Sequence, residues 1–173
     1  SFSALFGLQD AALLIALLLV HEVGHAIAMW WVGMPVKGIY FIPFMGGVAV
    51  SAGRYHNEGE RGFVSLMGPG FSVLSTALLF DLAQSDPTAI WLQAAIMSAF
   101  LNGFNLLPVL PLDGGHVAQS LLSRLNPQFV TGFNGLTLLA GAGLAVAISA
   151  YDLLILLLII APLILSKRMR STP

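Results

Sequence analysis

Ala11-Ala12-Leu13-Leu14-Ile15-Ala16-Leu17-Leu18-Leu19-Val20-His21-Glu22-Val23-Gly24-His25 is the stretch that decides the fold. It lies within a run, about Leu8 to Val32, long enough to cross a bilayer as a helix. Two histidines four residues apart share one helix face, where both imidazoles reach a single metal ion. Glu22 stands beside that point, placed to take a proton from a water held there. Ionisable groups are costly in hydrocarbon, so three of them in one turn imply chemistry.

Composition agrees. Of 173 residues, 57% are hydrophobic and 9% charged, with a mean hydropathy of +0.89. Soluble domains carry about 25% charged residues, so this chain reads as a polytopic membrane protein of one domain, residues 1–173. With no cysteine, a metal here must use His, Asp or Glu. The first residues lack a basic stretch before the apolar run, so no cleavable signal peptide is expected.

Five stretches approach spanning length: Leu8 to Val32, Gly62 to Leu82, Thr88 to Leu107, Phe129 to Ala150, and the shorter Leu153 to Leu165 with Pro162 inside it. Threading five crossings puts Lys37, Arg54, Arg61, Arg124, Lys167, Arg168 and Arg170 on one side. Asp10, Asp81, Asp86 and Asp152 fall on the other, which makes the basic side cytoplasmic. His21 lies about 16 Å from that end of its helix, so the site is expected in the cytoplasmic half of the bilayer. Between the first two spans, Val36 to Phe44 and Gly47 to Ser51 are rich in β-branched and aromatic residues. They read as a β-hairpin in contact with lipid or the helices.

A catalytic zinc takes three protein ligands and one open position. The candidates for the third are Asp113, His116, His56, Glu58 and Glu60. Asp113 follows Pro108 and Pro111, which break the helix and let the chain turn back. Spacing alone leaves it equally readable as the N-cap of a helix from Gly114 to Leu125.

The ordered pair of motifs, HEVGH at His21–His25 and Asn105-x-x-Pro108-x-x-Pro111-Leu112-Asp113-Gly114 beyond the third span, resembles the site-2 protease family of intramembrane zinc metalloproteases. The resemblance covers about Leu8 to Leu125. It implies that His21, His25 and Asp113 bind one zinc ion, that Glu22 is the general base, and that Asn105 contacts substrate backbone or an oxyanion. Gly68-Pro69-Gly70-Phe71-Ser72 matches the family's GPxxN element, with Ser72 where asparagine is frequent. There, small residues suit close helix packing and Pro69 offers a kink. The hairpin resembles the family's membrane-associated strands, whose edge could pair with an unwound substrate. Neither a PDZ-like insertion nor a CBS-like domain is visible, so the chain reads as a minimal membrane core: a catalytic part, about residues 8–125, and accessory helices, about 129–166.

Two functions follow from these readings. The first is an intramembrane peptidase acting on transmembrane proteins, with the bilayer as its setting and no nucleic-acid partner. The second is a non-catalytic membrane protein that binds or transports a divalent cation. A transport path needs polar groups through several spans, whereas the outer halves here are apolar. Glu22 would also be superfluous to it.

Overall fold

A computed structural model describes residues 7–42, 46–86, 89–147 and 161–162. Its elements are α1 (Leu8–Trp31), β1 (Val36–Ile42), β2 (Gly46–Ser51), α2 (Glu58–Ser85), α3 (Ala89–Asn105), α4 (Asp113–Leu125) and α5 (Pro127–Ala147). The expected spans therefore begin and end within a few residues of α1, α2, α3 and α5. The fifth, Leu153 to Leu165, falls almost wholly outside the described residues. Among the described helices, α1 and α2 are long and apolar enough to cross a membrane.

Helix α1 stops where Gly33 takes φ 77°, a conformation open to glycine that turns the chain out of the helix and towards β1. Strands β1 and β2 pair antiparallel, with Ile39 opposite Ala49, Tyr40 opposite Val48, and an irregularity between Val36 and Gly38. Helix α2 opens on a polar cap: Asn57 Oδ1 accepts from the Glu60 N–H at 2.9 Å, and Glu60 Oε2 accepts from the His56 N–H at 2.9 Å. The helix then continues unbroken through buried Pro69.

Helix α2 is the centre of the packing, with α1, α3 and α4 all against it; the hairpin lies on α1, and α5 on α4. A small core of Ala28, Met29, Met34 and Val64 seals the end of α1, where Ala49 of β2 and Met67 of α2 join it. The outside is apolar. Leu92, Ile96, Phe100 and Phe104 form an exposed stripe on α3, and Val73, Leu74 and Leu78 are exposed on α2. Water would not favour such a surface, but hydrocarbon would. Exposed Trp30 and Trp31 end α1, with the Trp31 ring edge-on to Phe63, as amphipathic aromatics sit at a membrane interface.

Candidate metal centre

HEVGH lies on the face of α1 that meets α2, and His21, Glu22 and His25 are all buried. Two glycines make the approach possible. A Cβ on Gly24 would come 2.4 Å from the Met67 carbonyl oxygen, and one on Gly68 would come 2.2 Å from His25 Nε2. The GPxxN element is thus a close-packing element at Gly68, whereas a Cβ on Gly70 would meet nothing within 4 Å.

Asp113 arrives from the far side. The chain after α3 folds back so tightly that a Cβ on Gly114 would sit 2.1 Å from the Leu106 carbonyl oxygen, so glycine is required there. Helix α4 starts with Asp113 as its first residue, and Leu112 holds the cap position without a side-chain bond. The N-cap reading of Asp113 therefore fails. Its carboxylate turns instead to α1, with Oδ2 2.9 Å from His21 Nε2 and 3.2 Å from His25 Nε2. Burial pushes this carboxyl up, but in the metal-free protein hydrogen bonds and charge from the imidazoles in their protonated form outweigh that and hold it at about 2.

The donor set fits a metal ion. His25 Nδ1 lies 2.8 Å from the Val64 carbonyl oxygen, which can only accept, so Nδ1 carries the proton. In the neutral ring, Nε2 then presents its lone pair, and it faces His21 Nε2 at 3.2 Å. Three acceptor atoms separated by 2.9–3.2 Å repel one another unless a cation lies among them. Ligands at zinc distances around a tetrahedral ion are separated by about 3.3 Å. His21 Nδ1 has Ser72 Oγ at 3.4 Å behind it, and the His25–Val64 bond fixes the other ring.

Glu22 belongs to a different contact. Its ligand atoms fall within 4.8 Å of those of His21 and His25. Its carboxylate, however, accepts the Ala49 N–H of β2 at 2.8 Å and lies against Gly47. It is held beside the triangle rather than completing it. A cavity of about 500 Å³ opens over both, lined among others by Asn105 at the end of α3, Tyr55 and His116. Burial pushes the Tyr55 hydroxyl up, so it remains a donor.

The chain matches known proteins in sequence and in fold. The Peptidase M50B-like family matches residues 10–108, and Peptidase family M50 matches residues 80–148. The chain belongs to the M50, or site-2 protease, family. Among relatives of this M50 chain, a zinc metalloprotease of Methanocaldococcus jannaschii is 29% identical over 118 residues, covering 65% of this chain and 34% of that one. Rip3 of Mycobacterium tuberculosis, a putative zinc metalloprotease by name, is 33% identical over 130 residues, covering 69% and 32%. The chain thus spans about a third of the length of the curated relatives it matches. The solved structure of the site-2 protease from Methanocaldococcus jannaschii shares the fold, with a TM-score of 0.66 at 22% identity, over 99% of this chain and 84% of that one.

Of the five sequence candidates for a third ligand, Asp113 lies against both imidazoles of this M50 chain. His56 is exposed and pairs with Glu60 at 3.0 Å, and Glu58 pairs with Arg61 at 3.4 Å. His116 lines the cavity but is tied through Nδ1 to Arg61 at 2.9 Å. Sequence reasoning missed the backbone of β2 as a partner of Glu22. It also missed Tyr55, whose loop position carries no signal of its own.

Proposed function

We propose that this chain is the catalytic core of an intramembrane zinc metalloprotease that cuts peptide bonds within or near transmembrane segments. The observation that carries this reading is the His21–His25–Asp113 triangle with Glu22 held beside it under an open cavity. His21, His25 and Asp113 would hold one zinc ion, which when bound supplies Lewis acidity towards water and the scissile carbonyl. Glu22 takes the proton of the attacking water and gives it to the leaving amine. Asn105 lines the same cavity and offers an amide N–H to the carbonyl oxygen as negative charge grows there.

The placement of charge around α1, α2 and α3 favours crossings by these three helices with the site towards the cytoplasm; the fifth expected span lies almost wholly outside the described residues. Lys37, Arg54 and Arg61 flank the end of α1 and the start of α2, and Arg124 reaches the same place beside Gly59. At the opposite end, Gln93 donates to Asp10 at 2.7 Å, joining α3 to α1 among acidic residues. Substrates would be membrane proteins whose helices unwind locally, since peptide groups inside a helix are shielded by their own hydrogen bonds.

The cation-transport reading finds a polar trail behind Ser72, where Thr76 Oγ1 and Ser98 Oγ lie 2.6 Å apart and Asn102 donates to Thr76 at 3.3 Å. None of these groups is charged, which favours packing over passage. The deciding experiment compares wild type with Glu22→Gln for zinc content and cleavage of a transmembrane peptide in bicelles. Zinc in both and cleavage only in the wild type is expected. Equal cleavage removes Glu22 as the base, and zinc uptake into vesicles without cleavage supports transport.

A further inference from the structure

Strand β2 meets the site with its backbone. In an antiparallel pair, alternate residues turn their N–H and C=O towards the partner strand and the rest turn them outward. The Ala49 N–H reaches Glu22 Oε2 at 2.8 Å, so Ala49 is an outward residue in the Ile39–Ala49 pair. Gly47, two residues away, presents its groups on the same edge. Both line the cavity. Gly47 also makes room for the contact, because a Cβ there would lie 2.4 Å from Glu22 Cγ and 2.9 Å from Oε1.

An edge strand facing a cavity is a template for an extended peptide. The acceptor position that such a peptide needs opposite Ala49 is held by the Glu22 carboxylate. We propose that the Ala49 N–H is a substrate-recognition donor, occupied by Glu22 until the carbonyl oxygen of an added substrate strand displaces it. Docking then frees the carboxylate for proton transfer in the same movement. This rests on the peptidase reading above and adds a selection rule to it. A carboxylate is the stronger acceptor, so one incoming carbonyl is a poor competitor. A substrate must offer several backbone groups along the edge together, which an intact helix, with its groups already paired, does not.

The test uses the zinc-loaded full chain in bicelles and a synthetic peptide of about 20 apolar residues with a central Asn-Pro pair. Glu22→Gln and Glu22→Ala both lack the base, so the peptide remains whole. Glutamine keeps an acceptor for the Ala49 N–H and alanine does not. The peptide should bind Glu22→Ala about fivefold more tightly than Glu22→Gln, the scale of one neutral hydrogen bond. Adding Ala49→Pro, which removes an outward donor and spares the ladder, should erase that difference and weaken binding to Glu22→Ala. Equal affinities of the two Glu22 variants, or the reverse order, overturn the proposal. That comparison stands alone if Ala49→Pro fails to fold. A difference that survives Ala49→Pro overturns it too, by showing another cause. A wild-type chain that never cuts the peptide sinks the peptidase reading instead, whatever the affinities.

Discussion

Gly68 lies directly beneath the His25 ring, where a single added methyl carbon would come 2.2 Å from Nε2 and 2.8 Å from His21 Nε2. The space for an ion is thus set by a residue of α2 that contributes no ligand. Gly68→Ala should lower zinc affinity by at least about tenfold, the usual scale for disturbing the support of a metal site. Gly70→Ala, two residues on with nothing nearby, should keep full zinc and gain up to about 1 kcal/mol from helix propensity. Metal analysis and thermal melts of both purified variants check the contrast. Equal zinc in the two would show that the helices shift apart freely.

Asp113 has two separable contributions. Its carboxylate joins both imidazoles, while Leu112 holds the helix cap, so Asp113→Asn should weaken zinc binding and leave α4 in place. Its folded pKa of about 2 lies below the ordinary 3.8. In metal-free protein, this depressed carboxyl stabilises the fold fully above its unfolded value and loses the effect as pH falls towards 2. Unfolding of metal-free wild type against Asp113→Asn should therefore differ by about 2 kcal/mol near neutrality. The difference should vanish at strong acidity. A gap that persists there would assign the effect to shape rather than charge.

Some of this is legible in the sequence for physical reasons. A long, mostly apolar run places the end of α1 within one residue of where the helix stops, because membrane-length helices need no tertiary partner to declare themselves. Val36 to Ser51 declares a hairpin through β-branched and aromatic residues, and the strands Val36–Ile42 and Gly46–Ser51 follow it, with the expected strand end at Phe44 outside the described residues. Asp113 stays ambiguous because an N-cap and a metal ligand look the same in one dimension. In three dimensions Leu112 takes the cap position and the Asp113 carboxylate lies against both imidazoles. Ser72 departs from the family pattern, yet its hydroxyl lies behind His21. Spacing carries no information about such a contact, since it depends on how α1 and α2 cross.

Topology offers a test independent of chemistry. Single cysteines at Lys37, Glu58 and Arg124 should all react with an impermeant thiol reagent from the cytoplasmic side, and one at Asp86 from the other. The wild-type chain has no cysteine to confuse the readout. Accessibility of the cysteines at Lys37 and Asp86 from one side would remove α2 as a crossing.

The register separates two proline substitutions in the hairpin that sequence alone leaves equally fit to block a docking edge. Ala49 faces the site, so Val48 turns its N–H inward to β1 and Ile39 points away from the cavity side. Val48→Pro should therefore break the ladder and loosen the strand that holds Glu22, slowing cleavage of every substrate alike. Ile39→Pro should change cleavage less than about twofold, since an outward N–H on the far edge contributes to neither contact. Cleavage rates on a transmembrane peptide and on a short extended peptide check both. An Ile39→Pro variant that loses only the transmembrane substrate would place the docking edge on β1.

The last prediction concerns Arg61, whose side chain ties α2 to α4. It donates to His116 Nδ1 at 2.9 Å and to Gln119 Oε1, and Gln119 in turn donates to Asn134 Oδ1 on α5. Gln119 and Asn134 are buried, so this chain of bonds is a polar seam across three helices. Arg61→Met keeps the length of the side chain but removes the donor to buried Gln119 Oε1, at a cost of about 2 kcal/mol. Because α4 carries Asp113, the loss should appear twice, as a lower melting temperature and as faster release of zinc to a chelator. Arg61→Lys should recover part of the stability, since one ammonium cannot match the geometry of the fork. Unchanged zinc release in Arg61→Met alongside a lowered melting temperature would show that α4 keeps Asp113 in place without help from α2.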